Sequence, residues 1–260
     1  MVDLPLRNTH PGRVHALTSR RETRGSTAGG YELPWERVAA ETRWGAYVNA
    51  IEMQVVEKGK AAAAGPWTVL DVGCEGGRWS KPLADAGWQV TGTDVSQEAV
   101  DTFRRRLPNA TGMVVRPNTT TLPSPTASVG LLFCLEVFAV VHEDWFLDEA
   151  ARVLAPGGVL VAVVSNRTSY RRYLWRAARR HGPTTSEDDL PMYSRSYRSW
   201  KRQLKQSGLD RVYERGACWL PFSRRSNSRL IPPLAKLEGL LGLRRLTTVS
   251  PWICVAMQRR

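Results

Sequence analysis

Short apolar runs alternate with segments of helical periodicity through the middle of the chain. The runs predict strands over residues 68–72, 88–93, 111–115, 129–135 and 159–164. The segments between them predict helices over residues 79–86, 97–107 and 145–154, the last closed by the stop sequence Pro156–Gly157–Gly158. Strands that alternate with helices in this way are typical of βαβ units. The pattern therefore predicts an α/β fold around a mainly parallel, doubly wound sheet.

The two ends of the chain are patterned differently. Residues 1–30 are rich in Arg, Thr, Ser and Gly and show no periodicity, so we expect a mobile N-terminal tail. The remainder predicts a single domain over residues 31–260, with a ligand-binding core over 67–166 and a basic, sheet-completing part over 167–260. Outside the core, the periodicity predicts helices over 35–58, 169–180, 196–206 and 234–241, and strands over 211–220 and 248–257.

Composition narrows the class of protein. The chain has 260 residues, 42% of them apolar, which is enough for one sizeable core. Its longest apolar runs are shorter than the ~20 residues that cross a bilayer, and its first residues lack the apolar stretch of a signal peptide. The four cysteines are far apart and form no CxxC pair. We therefore expect a cytoplasmic protein with buried, reduced thiols and without a metal site.

Positive charge is concentrated in the C-terminal third. The whole chain has a net charge of +13, and residues 167–260 contain 21 Lys and Arg against 6 Asp and Glu. Such asymmetry indicates an anionic partner, namely nucleic acid, a membrane surface or an acidic substrate. A solvated basic face that only keeps the protein in solution is the alternative.

The sequence VLDVGCEGGRWS, at residues 69–80, is a strand that enters a glycine-rich turn followed by a helix. Glycines there let a ligand approach the backbone, although nicotinamide and flavin sites share this feature. Asp71 lies within the strand, two residues before Gly73. Asp94 ends the next strand, where a carboxylate accepts hydrogen bonds from both ribose hydroxyls. Together these features indicate a cofactor that contains adenosine.

Four segments in this order make the sequence similar to the class I S-adenosylmethionine-dependent methyltransferases of the small-molecule, ubiquinone/menaquinone type. They are VLDVGCEGG, VTGTDVS at 90–96, residues 118–123 with their Leu-Pro pair, and ARVLAPGGVLVAV at 151–163. The resemblance implies a Rossmann-like, doubly wound, seven-stranded sheet. That sheet would be mostly parallel with an antiparallel last strand, and helical inserts would form an acceptor lid.

The same resemblance implies that the chain binds S-adenosylmethionine and releases S-adenosylhomocysteine. Asp94 would hold the ribose hydroxyls, and Val95 would pack on the adenine. Asn118 replaces the acid that usually binds the adenine amine, and Glu75 replaces a motif glycine. The other implied cofactor contacts are Trp44, Asp71, Gly73, Cys74, Gly76, Cys134 and Leu135. Trp44 would cover the cofactor or would belong to the core.

The catalytic residues transfer less directly from the family pattern. Methyl transfer to a hydroxyl needs a general base, and His142, after the fourth strand, is the best candidate because an unperturbed imidazole pKa is near ~6.5. A surface histidine beside Glu143 and Asp144 is the alternative reading. Glu136 is placed to contact the cofactor or the acceptor, or to act as base. A carboxylate acceptor would instead need cations to hold it, and we place Arg167, Tyr170 and Arg171 nearest such an acceptor. A helix with a basic, solvated face is the alternative there.

The sequence thus favours O-methylation of a small-molecule, glycan, lipid or peptide acceptor with negative charge. An RNA methyltransferase is disfavoured, because the motif for exocyclic base amines is absent after the fourth strand. A non-catalytic, cofactor-binding partner protein is the third possibility. Basic and apolar residues alternate over 170–180 and 234–246, which would suit peripheral contact with an anionic membrane. The oligomeric state is left open.

Overall fold

The computed structural model describes residues 34–178 and 195–260. The strands are β1 (Thr68–Val72), β2 (Gln89–Asp94), β3 (Thr111–Val114), β4 (Val129–Cys134), β5 (Leu154–Ser165), β6 (Leu209–Ala217) and β7 (Trp252–Arg259). The helices are α1 (Pro34–Glu41), α2 (Arg43–Ala62), α3 (Lys81–Asp85), α4 (Gln97–Arg106), α5 (Phe138–Val141), α6 (Phe146–Val153), α7 (Tyr170–Ala178), α8 (Tyr197–Gln206) and α9 (Ile231–Leu240). A 3₁₀ turn over Leu243–Arg245 follows α9.

All seven strands belong to one sheet, in the order β3-β2-β1-β4-β5-β7-β6. The pairs from β3 to β5 are parallel, whereas β7 is antiparallel to both of its neighbours. The strand order reverses between β1 and β4, which makes the carboxyl ends of these strands the topological switch point where doubly wound sheets bind ligands. The predicted fold class is therefore confirmed.

The core lies on both faces of the central strands. Every residue of β4 is buried, and so is most of β5, as a central parallel strand covered by helices requires. The long helix α2 packs on β5, β6 and β7 through an apolar stripe that includes Val48, Ile51 and Val55. Phe103 of α4 is fully buried against Gly92 of β2, where a Cβ would clash with its ring.

Several element boundaries differ from the prediction. The helix expected over 35–58 is two helices, because Thr42 ends α1 and its side chain accepts a hydrogen bond from the Gly45 N–H at the start of α2. Pro156–Gly157–Gly158 does not terminate a helix as predicted. It lies within β5, which begins at Leu154, directly after the last residue of α6. The short helix α5 was not predicted. Within the described ranges, no helix is long and apolar enough to cross a bilayer. The tail expected over residues 1–30 lies outside those ranges.

Candidate functional site

The glycine-rich turn directly follows β1. Gly73 has a φ of 71°, and a Cβ there would come within 2.5 Å of Val137 Cγ2, so both conformation and space require glycine. The N–H groups of Gly73 and Cys74 both donate to the carbonyl oxygen of Thr93, at 2.7 and 2.9 Å. These bonds fix the turn to the carboxyl end of β2.

Asp94 ends β2 beside this turn. One carboxylate oxygen accepts a hydrogen bond from the Glu75 N–H at 3.2 Å, and the other accepts from the Ser96 N–H at 2.9 Å. Two neutral donors hold the carboxylate in place without neutralising its charge. Each oxygen keeps a lone pair for a further donor, which fits the paired hydroxyls of a ribose.

Asp71 is buried within β1. It accepts a hydrogen bond from the Ser80 hydroxyl at 2.6 Å, so it connects the strand to the residue before α3. Burial raises its pKa to about 6, and the hydrogen bond from Ser80 opposes that rise. In this structure Asp71 supports the turn from behind, and its predicted contact with the cofactor stays a prediction.

Two carboxyl groups meet next to the turn. Glu136 follows β4 with a φ of 61°, a left-handed conformation that is rare for a non-glycine residue and clusters at functional sites. Glu52 of α2 is buried and accepts a hydrogen bond from the Arg78 guanidinium at 3.2 Å. Burial, and then the nearby Glu136, raise the pKa of Glu52 well above its ordinary value, whereas Arg78 opposes the rise. The Glu52 carboxyl group therefore binds a proton more readily than an ordinary glutamate does, although its ion pair with Arg78 favours the ionised form.

A small, half-open pocket lies beside these carboxyl groups. Its aromatic and charged lining comprises Trp35, Trp44, Glu52, Arg78, Glu136, Arg224 and Trp252, and the rest is mainly small apolar side chains of α1 and α2. The Arg224 guanidinium lies over the rings of Trp35 and Trp252, at 4.8 and 4.5 Å from their centres. Among the residues that the structure describes, Arg224 forms no ion pair with a carboxylate. The pocket thus combines carboxyl groups on one side with a sandwiched cation on another.

His142 does not line this pocket. It is buried at the end of α5, and its Nε2 lies 2.7 Å from the Ser165 hydroxyl oxygen at the end of β5. Burial and then Arg195 lower its pKa to about 4, so the expected unperturbed value is wrong and the imidazole is neutral at neutral pH. The alternative reading of a surface histidine is also wrong. Its role as general base stays a prediction.

Two of the three residues selected for an anionic acceptor bond to backbone carbonyl oxygens at Trp219 and Leu220. The Tyr170 ring stacks on Trp219, and its hydroxyl donates to the Trp219 carbonyl oxygen. The Arg171 guanidinium donates to the Leu220 carbonyl oxygen at 3.0 Å. Arg167 is exposed. None of the three lines the pocket, and their contact with an acceptor stays a prediction.

The other predicted cofactor residues surround the turn. Cys74 and Cys134 are buried, and burial raises the pKa of both thiols, so they are present as neutral thiols. The four free cysteines of the chain are all buried, as expected. Val95 and Asn118 are exposed at the ends of β2 and β3, whereas Gly76 is buried and Leu135 is half-buried. A carboxylate oxygen of Glu75 accepts the Trp35 N–H at 3.5 Å, which connects the turn to α1.

Sequence reasoning missed Glu52, Arg78, Trp35 and Arg224. Arg78 directly follows Gly76 and Gly77, so its position in the sequence could have indicated that it lies near the site. Glu52 was detectable only as one charged residue on the apolar stripe of α2. Arg224 is more than 140 residues from the turn in sequence, in a loop without periodicity, so no local pattern connects it to the site.

Comparison with known proteins shows that part of the chain is similar to methyltransferases. Residues 70–162 match the model of the methyltransferase domain. The chain is 26% identical over 174 residues to a ubiquinone biosynthesis O-methyltransferase of Chelativorans sp., and 38% identical over 96 residues to a demethylmenaquinone methyltransferase of Tropheryma whipplei. Those matches cover 61% and 36% of this chain. They cover 65% and 39% of the relatives, so the chain spans less than two thirds of each.

A solved structure shows the same fold. It is the geranyl diphosphate C-methyltransferase from Streptomyces coelicolor A3(2), in complex with Mg²⁺, geranyl diphosphate and S-adenosyl-L-homocysteine. The TM-score is 0.54 at 18% sequence identity, over 88% of this chain and 84% of that one. At this identity the likeness extends to the fold alone.

Proposed function

We propose that this protein, whose residues 70–162 match the model of the methyltransferase domain, uses S-adenosylmethionine to transfer a methyl group to an oxygen of a small, anionic acceptor. One observation supports the proposal most directly. The glycine turn, the Asp94 carboxylate and Glu136 all lie at the carboxyl ends of the central strands, on the side of the switch point where such sheets bind ligands.

The residues at this edge fit S-adenosylmethionine. The turn contains Gly73, Gly76 and Gly77, which have no Cβ, so its backbone would allow a cofactor to approach closely. The Asp94 carboxylate would accept both ribose hydroxyls in addition to its two backbone donors. Trp44 lines the pocket and has its ring 5.1 Å from that of Tyr47, so it would form an apolar wall for the cofactor or for the acceptor.

The bound cofactor supplies a methyl group that is already activated on a sulfonium sulfur. The chain's own residues then need to align the acceptor, exclude water and accept the acceptor's proton. Glu136 is the pocket carboxyl group that we propose for this proton. Burial and Glu136 raise the pKa of its neighbour Glu52, and in its protonated form Glu52 would donate a hydrogen bond to the Glu136 carboxylate and keep it oriented.

Arg224 supports the anionic character of the acceptor. Stacking between Trp35 and Trp252 fixes its guanidinium plane at the pocket, and charge-assisted hydrogen bonds from arginine to carboxylate or phosphate are among the stronger ones in proteins. An acceptor with a hydroxyl group on an apolar body and a separate acidic group would match Glu136, the aromatic walls and Arg224 together.

Two experiments test the proposal. Calorimetric titration with S-adenosylmethionine and S-adenosylhomocysteine should give saturable binding of both. Transfer of label from methyl-labelled S-adenosylmethionine should then be scanned over hydroxylated carboxylates and phosphates, with their neutral amides or esters as matched controls. We expect transfer only to the anionic members. Binding without transfer to any acceptor would favour a non-catalytic, cofactor-binding protein, and transfer to RNA alone would overturn the small-molecule assignment.

A further inference from the structure

Helix α9 has two apolar faces, and only one of them packs on the protein. Ile231 and Glu238 are buried on its inner face, and Leu234 and Ala235 are half-buried against the core. These four residues follow the spacing of a helix that lies on a core through one stripe. The inner face alone therefore accounts for the packing of α9.

The leucines on the outer side of α9 and its following turn face solvent. We call the set of Leu230, Leu237, Leu240, Leu241 and Leu246 the leucine surface. Each of its side chains is at least 47% exposed, and Leu240 reaches 85%. The outer face of a surface helix is normally polar, and grouped exposed apolar side chains mark interaction sites. The leucine surface is thus the feature of α9 that its packing does not explain.

The charged residues that flank the leucine surface in the sequence are almost all positive. In the sequence from Arg215 to Arg260 the one acidic residue is Glu238, which is buried and bonded to the Tyr47 hydroxyl and to Arg244. The exposed side chains beside the leucines include Arg229, Lys236 and Arg245. Facing copies of this surface would repel each other, whereas an anionic surface would be attracted.

The apolar character continues onto α7. The Tyr170 N–H donates to the carbonyl oxygen of Val249 at 2.9 Å, so α7 begins beside the segment that follows the leucine surface. One turn later Tyr173 and Leu174 are more than half exposed. Apolar side chains are therefore exposed on two segments that a backbone hydrogen bond connects, which suits a broad surface as partner better than a single groove.

We propose that the leucine surface docks on the headgroup region of an anionic phospholipid bilayer. The leucines would enter the boundary between headgroups and acyl chains, and Arg229, Lys236 and Arg245 would pair with lipid phosphates. The proposal does not depend on the cofactor or on methyl transfer, because no residue of the leucine surface lines the pocket.

Vesicle co-sedimentation of the full chain tests whether the leucine surface binds an anionic bilayer. We expect binding to vesicles of phosphatidylcholine mixed with phosphatidylglycerol, weak binding to phosphatidylcholine alone, and weaker binding at high salt. The double variant Leu240→Gln/Leu241→Gln, which leaves the net charge unchanged, should weaken partitioning by about tenfold or more. The double variant Lys236→Gln/Arg245→Gln should remove the preference for phosphatidylglycerol.

The control variant is Met113→Gln/Val114→Gln, which replaces two exposed apolar residues on β3 and should bind vesicles as the parent chain does. The residues replaced in the leucine variant and in the control are exposed, so the unfolding curves of these two variants should match that of the parent chain. Equal sedimentation of the leucine variant and the parent would overturn the proposal. Self-association without lipid, lost in the leucine variant, would assign the surface to a second copy of the chain instead.

Discussion

The Asp94 carboxylate and the Glu75 backbone N–H are joined by a hydrogen bond of 3.2 Å, which links the end of β2 to the turn after β1. The Gly73 and Cys74 N–H groups add two bonds from the turn to Thr93. As a result, the carboxylate and the open backbone of the turn are held at a fixed separation before any ligand binds. Such preorganisation lowers the cost of ordering the site on binding.

Replacing Asp94 tests its assignment to the ribose. We expect Asp94→Ala to weaken binding of S-adenosylhomocysteine by ~1.5–3 kcal/mol, the usual range for hydrogen bonds to a charged group. Asp101→Ala is the control, because Asp101 is an exposed carboxylate on α4 that pairs with Arg104. Calorimetry on both variants measures the difference. An affinity for Asp94→Ala equal to that of the control would remove Asp94 from the cofactor site.

Gly73 and Gly87 form a matched pair for the turn. Both have positive φ, 71° and 87°, but a Cβ at Gly87 would meet nothing within 4 Å, whereas one at Gly73 would meet Val137. Gly87→Ala should therefore cost only the left-handed conformation, ~1–2 kcal/mol. Gly73→Ala should cost clearly more, and Val137→Ala in the same chain should recover the excess. Urea unfolding of the three variants checks this, and equal costs at the two glycines would contradict it.

The sequence correctly predicted that the glycine turn and Asp94 lie together, because their placement is local. The turn and Asp94 each follow a buried strand directly, and adjacent parallel strands end at the same edge, so strand order alone brings Gly73 and Asp94 together. Element boundaries were less predictable. Thr42 divides α1 from α2 through one side-chain cap, and periodicity across that point is almost unbroken.

The acceptor side could not be predicted in the same way. Arg224 reaches the pocket from the loop between β6 and α9, and it is fixed there by Trp35 and Trp252, which are far away in sequence. Arg171 is equally basic, but its guanidinium bonds to the Leu220 carbonyl oxygen. The charge pattern of the sequence includes both arginines but cannot show which of them lies at the pocket, because their tertiary contacts decide it.

His142 should make stability depend on pH. Its pKa of about 4 lies below the ordinary 6.5, so the folded state favours the neutral imidazole and the unfolded state binds a proton first. The resulting stabilisation, roughly 3 kcal/mol, is fully present above pH ~6.5 and is lost as the pH falls towards ~4. Urea unfolding of the parent and of His142→Gln at about pH 7 and about pH 5 measures it. If both proteins lose the same stability on acidification, the imidazole is not buried in neutral form.

Glu136 and His142 are competing candidates for the general base, and turnover separates them. We expect Glu136→Gln to lower kcat by about 10²-fold for a hydroxyl acceptor, because the amide cannot take the proton, with little change in cofactor affinity. Glu143→Gln, in an exposed carboxylate near α5, is the control. A loss of kcat in His142→Gln but not in Glu136→Gln would assign the proton to His142. Full activity in both variants would favour an acceptor that is already ionised.

Arg224→Met tests the anionic group of the acceptor. Methionine keeps an apolar chain between Trp35 and Trp252 but removes the charge, so KM for an anionic acceptor should rise about tenfold to a hundredfold while kcat changes less. The neutral ester or amide of that acceptor should be used equally well by parent and variant. Arg224→Lys should recover part of the affinity, because it restores the charge without the planar guanidinium.

Arg225→Met, which replaces the exposed neighbouring residue, is the control and should leave both KM and kcat unchanged. If Arg224→Met raises KM for charged and neutral acceptors alike, Arg224 supports the pocket wall and does not recognise charge.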